Sequence, residues 1–93
     1  MEHLSIKEIY DRLEELKGWE MNGYSEIFKE FEFNNFREAM GFVQKVGEEA
    51  ERQKHHPEII IQYSKVTLKL TTQEANGLTH DDFKMARIIE QMV

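Results

Sequence analysis

With 93 residues, 40% of them hydrophobic and 32% charged, the chain has the make-up of one folded domain, residues 1–93, around a modest core. Twelve basic against eighteen acidic residues leave a net charge of −6, which disfavours non-specific binding to nucleic acid or to an anionic membrane. Cysteine is absent, which excludes disulfides, thiolate metal sites and a thiol nucleophile. The longest apolar run, Ile59-Ile60-Ile61, is far short of a membrane span, and Met1-Glu2-His3-Leu4-Ser5 lacks an export pattern, so a cytoplasmic setting is expected.

Ser5-Ile6-Lys7-Glu8 has capping-box spacing, and Ile6, Ile9, Leu13 and Leu16 recur at helical intervals. A first helix is therefore expected over about 5–17, with Gly18 in the left-handed position that follows a helix. Trp19-Glu20-Met21 reads as a short strand and Asn22-Gly23 as a two-residue hairpin turn. The return strand covers 24–33. Ile27, Phe31 and Phe33 share one face with Lys29, and Glu26, Phe28, Glu30 and Glu32 lie on the other. Phe28 is the apolar exception there, a side chain expected to meet another element or subunit.

Asn35 and Glu38 repeat the capping spacing. Phe36, Ala39, Met40, Val43, Val46 and Ala50 then form a stripe along a second helix, 36–54. Pro57 biases His56 away from helical angles and stops the helix at the histidine pair. Residues 58–63 have the β-branched density of a buried strand, and Ser64-Lys65 reads as a tight turn. Val66, Leu68 and Leu70 alternate with Thr67, Lys69 and Thr71 in a half-buried strand, followed by a turn at Asn76-Gly77. The last helix opens at Thr79-His80-Asp81-Asp82. Phe83, Ala86, Ile89 and Val93 form one apolar row, and Met85, Ile88 and Met92 another, which implies burial beyond one sheet face. The order is helix, strand, strand, helix, strand, strand, helix: an α+β sandwich with its helices on one face of the sheet.

The chemistry concentrates at Glu51-Arg52-Gln53-Lys54-His55-His56-Pro57-Glu58. Unperturbed imidazoles titrate at about 6.5, so two of them at a helix-to-strand junction can handle protons near neutrality. Adjacent histidines can also simply favour the negative end of a helix dipole. Glu51 stands four residues before His55, on the same face of a continuing helix, where a carboxylate can orient the ring. A metal site is disfavoured because consecutive helical residues point about 100° apart and no third histidine is near in sequence. Ser5, Ser25 and Ser64 each have a capping or turn explanation, which leaves no serine nucleophile. Asp82 reads most economically as a helix-start residue, and Trp19 as either core or a stacking surface for a flat ligand.

Glu51, His55-His56-Pro57, Tyr63, Gly77-Leu78-Thr79 and Asp82 together resemble the pterin-4a-carbinolamine dehydratases. The likeness extends through Gly18-Trp19, Ile27-Phe28-Lys29 and Phe31-Glu32-Phe33. It implies a four-stranded antiparallel sheet backed by three helices, assembled as a homodimer or homotetramer. The implied activity is removal of water from 4a-hydroxytetrahydropterin to give quinonoid dihydropterin, with the pterin as substrate and no cofactor. By this resemblance His55 and His56 are the catalytic pair, His55 the likelier acid/base and His56 chiefly a substrate contact, with Glu51 supporting His55. Pro57, Thr71, Thr72, Gln73, Glu74, Trp19 and Asp82 would lie at or near the pterin. Gln73 departs from the pattern, since many members carry a third histidine there. The alternative on the same fold is a non-catalytic pterin-binding or assembly protein, as animal members also serve as a dimerisation cofactor for a homeodomain transcription factor.

Overall fold

The computed structural model describes residues 2–93. Helix α1 spans Ile6–Leu13 and is followed by strands β1, Glu20–Asn22, and β2, Glu26–Glu32. Helix α2 spans Phe36–Gln53, strands β3 and β4 cover Glu58–Gln62 and Lys65–Leu70, and a single 3-10 turn, Gln73–Ala75, leads to helix α3, His80–Glu90. The four strands form one antiparallel sheet in the order β1-β2-β4-β3, as the α+β reading expects.

Register follows from which side chains must face the helices. Ile27 pairs with Leu70, Phe31 with Val66 and Ile59 with Leu68, so the apolar sets of the central strands β2 and β4 share the inner face with Ile59 of β3. β3 is an edge strand and Ile59 is only partly buried there, so it is not the buried strand its composition suggests. Ile27, Val66, Leu68 and Leu70 are completely buried there, beneath Ile9, Phe83, Met85, Ala86 and Ile89. Each such Leu, Ile or Phe contributes about 1.5–3 kcal/mol of apolar burial.

Several boundaries move from the sequence reading. The α1 capping box forms, Ser5 Oγ accepting from the Glu8 amide and Glu8 Oε1 from the Ser5 amide. The helix nevertheless ends at Leu13, four residues early, because i to i−3 bonds from Glu15 and Leu16 tighten the chain and bury Leu16. The first hairpin closes through Gly23-Tyr24-Ser25, with Asn22 opposite Glu26. A two-residue Asn-Gly loop would have paired Met21 with Tyr24 instead of with Ile27, its partner on the inner face. The second hairpin turns at Tyr63-Ser64, with Lys65 already in β4 and Tyr63 at a φ of 55°.

The stripe expected on α2 also divides. Ala39, Phe42, Val46 and Ala50 face the core, whereas Phe36 and Met40 remain 50% and 42% exposed. Phe28 is half-buried on the outer sheet face between Glu20 and Lys69, opposite the core face that carries Ile27 and Phe31. No helix of the described residues is long and apolar enough to cross a membrane.

Candidate active site

Helix α2 ends on a left-handed residue, Lys54, at φ 54° and ψ 41°. The Lys54 and His55 amides both donate to the Ala50 carbonyl, closing the last turn. This reversal, reinforced by Pro57, lifts His55 off the helix axis. The expected Glu51–His55 pair therefore does not form. Glu51 Oε2 lies 2.6 Å from Nε2 of His56, and His55 turns its own Nε2 inward, 2.6 Å from Oδ1 of Asp82.

The two pairs share a length and differ in setting. His55 and Asp82 have side chains 12% and 0% exposed; those of His56 and Glu51 are 59% and 79% exposed. Asp82 occupies the third position of α3, and its Oδ2 caps the helix by accepting the Thr79 amide at 2.9 Å. The same oxygen accepts the Thr72 hydroxyl at 2.8 Å, and Thr72 Oγ1 meets Thr79 Oγ1 at 2.8 Å. Among the described residues no buried side-chain nitrogen or oxygen lacks a partner, so this enclosed polar cluster is fully satisfied. The loop supplying it is closed by reciprocal Thr72–Gly77 backbone bonds of 3.0 and 3.3 Å, and turns at Asn76, φ 54°. Gly77 is needed for space: a Cβ there would stand 2.9 Å from Cβ of His3, in the segment whose Leu4 amide bonds the Leu78 carbonyl.

In front of the histidines lies a hollow of about 340 Å³ lined by Lys54, His55, His56, Thr71, Gln73 and Glu74. A second, of about 310 Å³, shares His56, Thr71 and Gln73 and adds Glu26, Pro57, Glu58 and Lys69 on the outer sheet face. The helix-to-strand junction and the end of β4, remote in sequence, thus meet around one polar cleft within the size range of small-molecule sites.

The structure gathers His55, His56, Pro57, Thr71, Gln73 and Glu74 on the walls of this cleft. It puts Glu51 at the rim, bonded to His56, and Asp82 behind His55. Thr72 faces away from the cleft into the Asp82 cluster and is 2% exposed. Trp19 is not brought there. It packs edge-on against Phe31 in the core and donates Nε1–H to Glu90 Oε2 at 2.9 Å. Glu90 is at the far end of α3 from Asp82, about 12 Å along the helix. The sequence reading gave no site role to Lys54, Thr79, Glu26, Glu58 or Lys69. Two signals could have found some of them: Lys69 shares a strand face with Thr71, and Thr79 stands in box spacing with Asp82.

The fold and cleft define a class: a small α+β protein presenting a histidine pair, one member held by a buried carboxylate, to a polar cleft. The family model described as pterin 4 alpha carbinolamine dehydratase matches residues 2–92. A protein of Thermomicrobium roseum named "Putative pterin-4-alpha-carbinolamine dehydratase" is 44% identical over 92 residues, covering 99% of this chain and 98% of that protein. One of the same name from Sulfurisphaera tokodaii is 40% identical over 93 residues, covering 100% and 99%. A crystal structure described as a transcriptional coactivator/pterin dehydratase from Brucella melitensis superposes with a TM-score of 0.93 at 35% identity, covering 97% of each chain. A pterin dehydratase-like protein described as a RuBisCO assembly factor in the alpha-carboxysome shares the fold, with a TM-score of 0.69 at 17% identity over 81% of this chain and 88% of that one. The chain belongs to the pterin-4-alpha-carbinolamine dehydratase family.

Proposed function

We propose that this protein is a dehydratase that removes water from 4a-hydroxytetrahydropterin to give quinonoid dihydropterin, by histidine acid/base catalysis, in cytoplasmic recycling of tetrahydropterin. One arrangement carries the reading: His55, held 2.6 Å from buried Asp82, lines the same cleft as His56, Thr71, Gln73 and Glu74. The reaction breaks the C4a–O bond, delivers a proton to the departing oxygen and removes one from a ring nitrogen. With Nε2 committed to Asp82, the free nitrogen of His55 is Nδ1. As an imidazolium His55 donates from Nδ1 to the leaving hydroxyl, and the same nitrogen then takes the ring proton, so one turnover restores the starting state. His56, tied to Glu51 at the rim, holds and polarises the substrate.

Gln73 can hydrogen-bond the pterin but carries no exchangeable charge near pH 7. Gln73→His is expected to raise turnover several-fold, within the reach of one added acid/base group. Unchanged kcat with normal substrate binding would remove Gln73 from the account. The direct assay follows chemically generated 4a-hydroxytetrahydropterin by absorbance, and the purified protein should accelerate its dehydration well beyond buffer. A rate equal to buffer leaves the alternative, a non-catalytic pterin-binding or assembly protein. Phe36 and Met40, uncovered on α2, suit a protein partner, whether in that second reading or in a homodimer or homotetramer of the enzyme.

A further inference from the structure

We infer that Thr72 is a positioning residue: its hydroxyl, backed by that of Thr79, holds Asp82 as an acceptor aimed at His55, so that His55 presents one fixed nitrogen, Nδ1, to the cleft. With Asp82 ionised, the hydrogens of the cluster have one consistent arrangement. A carboxylate can only accept, and Oδ2 of Asp82 already takes the Thr79 amide at 2.9 Å. Thr72 has a single hydroxyl hydrogen. If that hydrogen pointed to Thr79, the 2.8 Å contact between Thr72 Oγ1 and Asp82 Oδ2 would set two bare acceptors together. It must therefore go to Asp82, and the Thr79 hydroxyl must donate to Thr72 across their 2.8 Å contact. Thr79 Oγ1 in turn accepts the Asp81 amide at 3.3 Å.

The result is a one-way chain, Asp81 N–H to Thr79, Thr79 to Thr72, Thr72 to Asp82, in which each bond polarises the next. It ends on the carboxylate whose other oxygen receives Nε2–H of His55. Thr72 has no freedom to leave it. Its amide donates to Gly77, its carbonyl accepts from Ala75 and Gly77, and its side chain is buried. These features distinguish it from neighbouring Thr71, whose side chain lines the cleft and donates to the Ser25 carbonyl.

The kinetic arm of the test rests on the dehydratase reading, whereas the spectroscopic arm does not. In the wild-type protein the ring proton on Nε2 of His55 should appear by NMR as a downfield resonance sheltered from solvent exchange. Thr72→Val, nearly the same shape without the hydroxyl, should broaden or shift that resonance. It should also lower kcat about tenfold, the scale of one hydrogen bond to a charged group, with KM little changed. Thr72→Ser should restore both. A folded Thr72→Val protein with wild-type kcat and an unmoved ring proton overturns the inference. So does a rise in KM alone, which would make Thr72 a substrate contact. If Thr72→Val does not fold, Thr72→Ala takes its place with the same two readouts and the same overturning result, and absence of the wild-type ring proton also overturns the inference. Absence of wild-type dehydration would sink the proposed activity and leave the spectroscopic comparison standing.

Discussion

Two helix starts in this molecule use the same capping box in different surroundings. Ser5 and Glu8 open α1 in solvent, while Thr79 and Asp82 open α3 inside the protein. In both, a hydroxyl accepts an early helix amide and a carboxylate reaches back to the amide of the cap residue. Glu8 gains further electrostatic support from Arg12 and His80. Asp82 has both oxygens engaged, one by the cap and Thr72, the other by His55. A motif that satisfies orphan helix donors thus becomes, once buried against a second strand end, the support of a candidate catalytic ring.

Asp82→Asn should produce the largest effect. An amide can still accept from Thr72 and Thr79, but it offers N–H to His55 and so demands the opposite tautomer. Turnover should fall on the order of a hundredfold or more, the scale seen when an orienting carboxylate becomes an amide. Stability should fall by about 1–3 kcal/mol, the usual cost of disturbing a buried polar partner. Steady-state kinetics and chemical denaturation check both. A variant with wild-type kcat would show that the buried box only caps the helix.

The exposed histidine pair sharpens the comparison. Glu51 lies the same 2.6 Å from its imidazole but stands in water. Glu51→Gln should therefore change kcat by less than roughly threefold and stability by under about 1 kcal/mol. A loss matching that of Asp82→Asn would mean that burial is not what separates the two histidines.

The sequence displayed the periodicities that make the fold and the His-His-Pro stop that places the pair. It could not display which carboxylate each histidine would take. Glu51 at i−4 is the natural partner of His55 only while the helix continues, and one left-handed residue, Lys54, redirects both rings. Asp82 reads in the sequence as a helix-start residue and, by family resemblance alone, as one near the pterin. Its second use depends on the end of β4 delivering Thr72 to the start of α3, a juxtaposition no local pattern encodes. Trp19 shows the converse: its position could serve core or ligand, and only the packing of Phe31 and Glu90 around it decides for the core.

The smallest effect is expected at Glu8, and its dependence on pH tests whether the exposed box acts through charge. The Ser5 amide, then the Ser5 hydroxyl, and beyond them the charges of Arg12 and His80 hold the Glu8 carboxyl below its ordinary value of 4.5. The folded protein therefore binds that proton less readily than the unfolded chain does. The resulting stabilisation is complete above the unfolded value and lost as pH falls through the folded one. Glu8→Gln should lower the urea midpoint slightly at pH 7, and the gap from wild type should close as the pH is taken from 6 to 3. Denaturation curves that stay parallel across that range would mean that Glu8 contributes through hydrogen-bond shape alone, and the two boxes would then differ in burial but not in the use of charge.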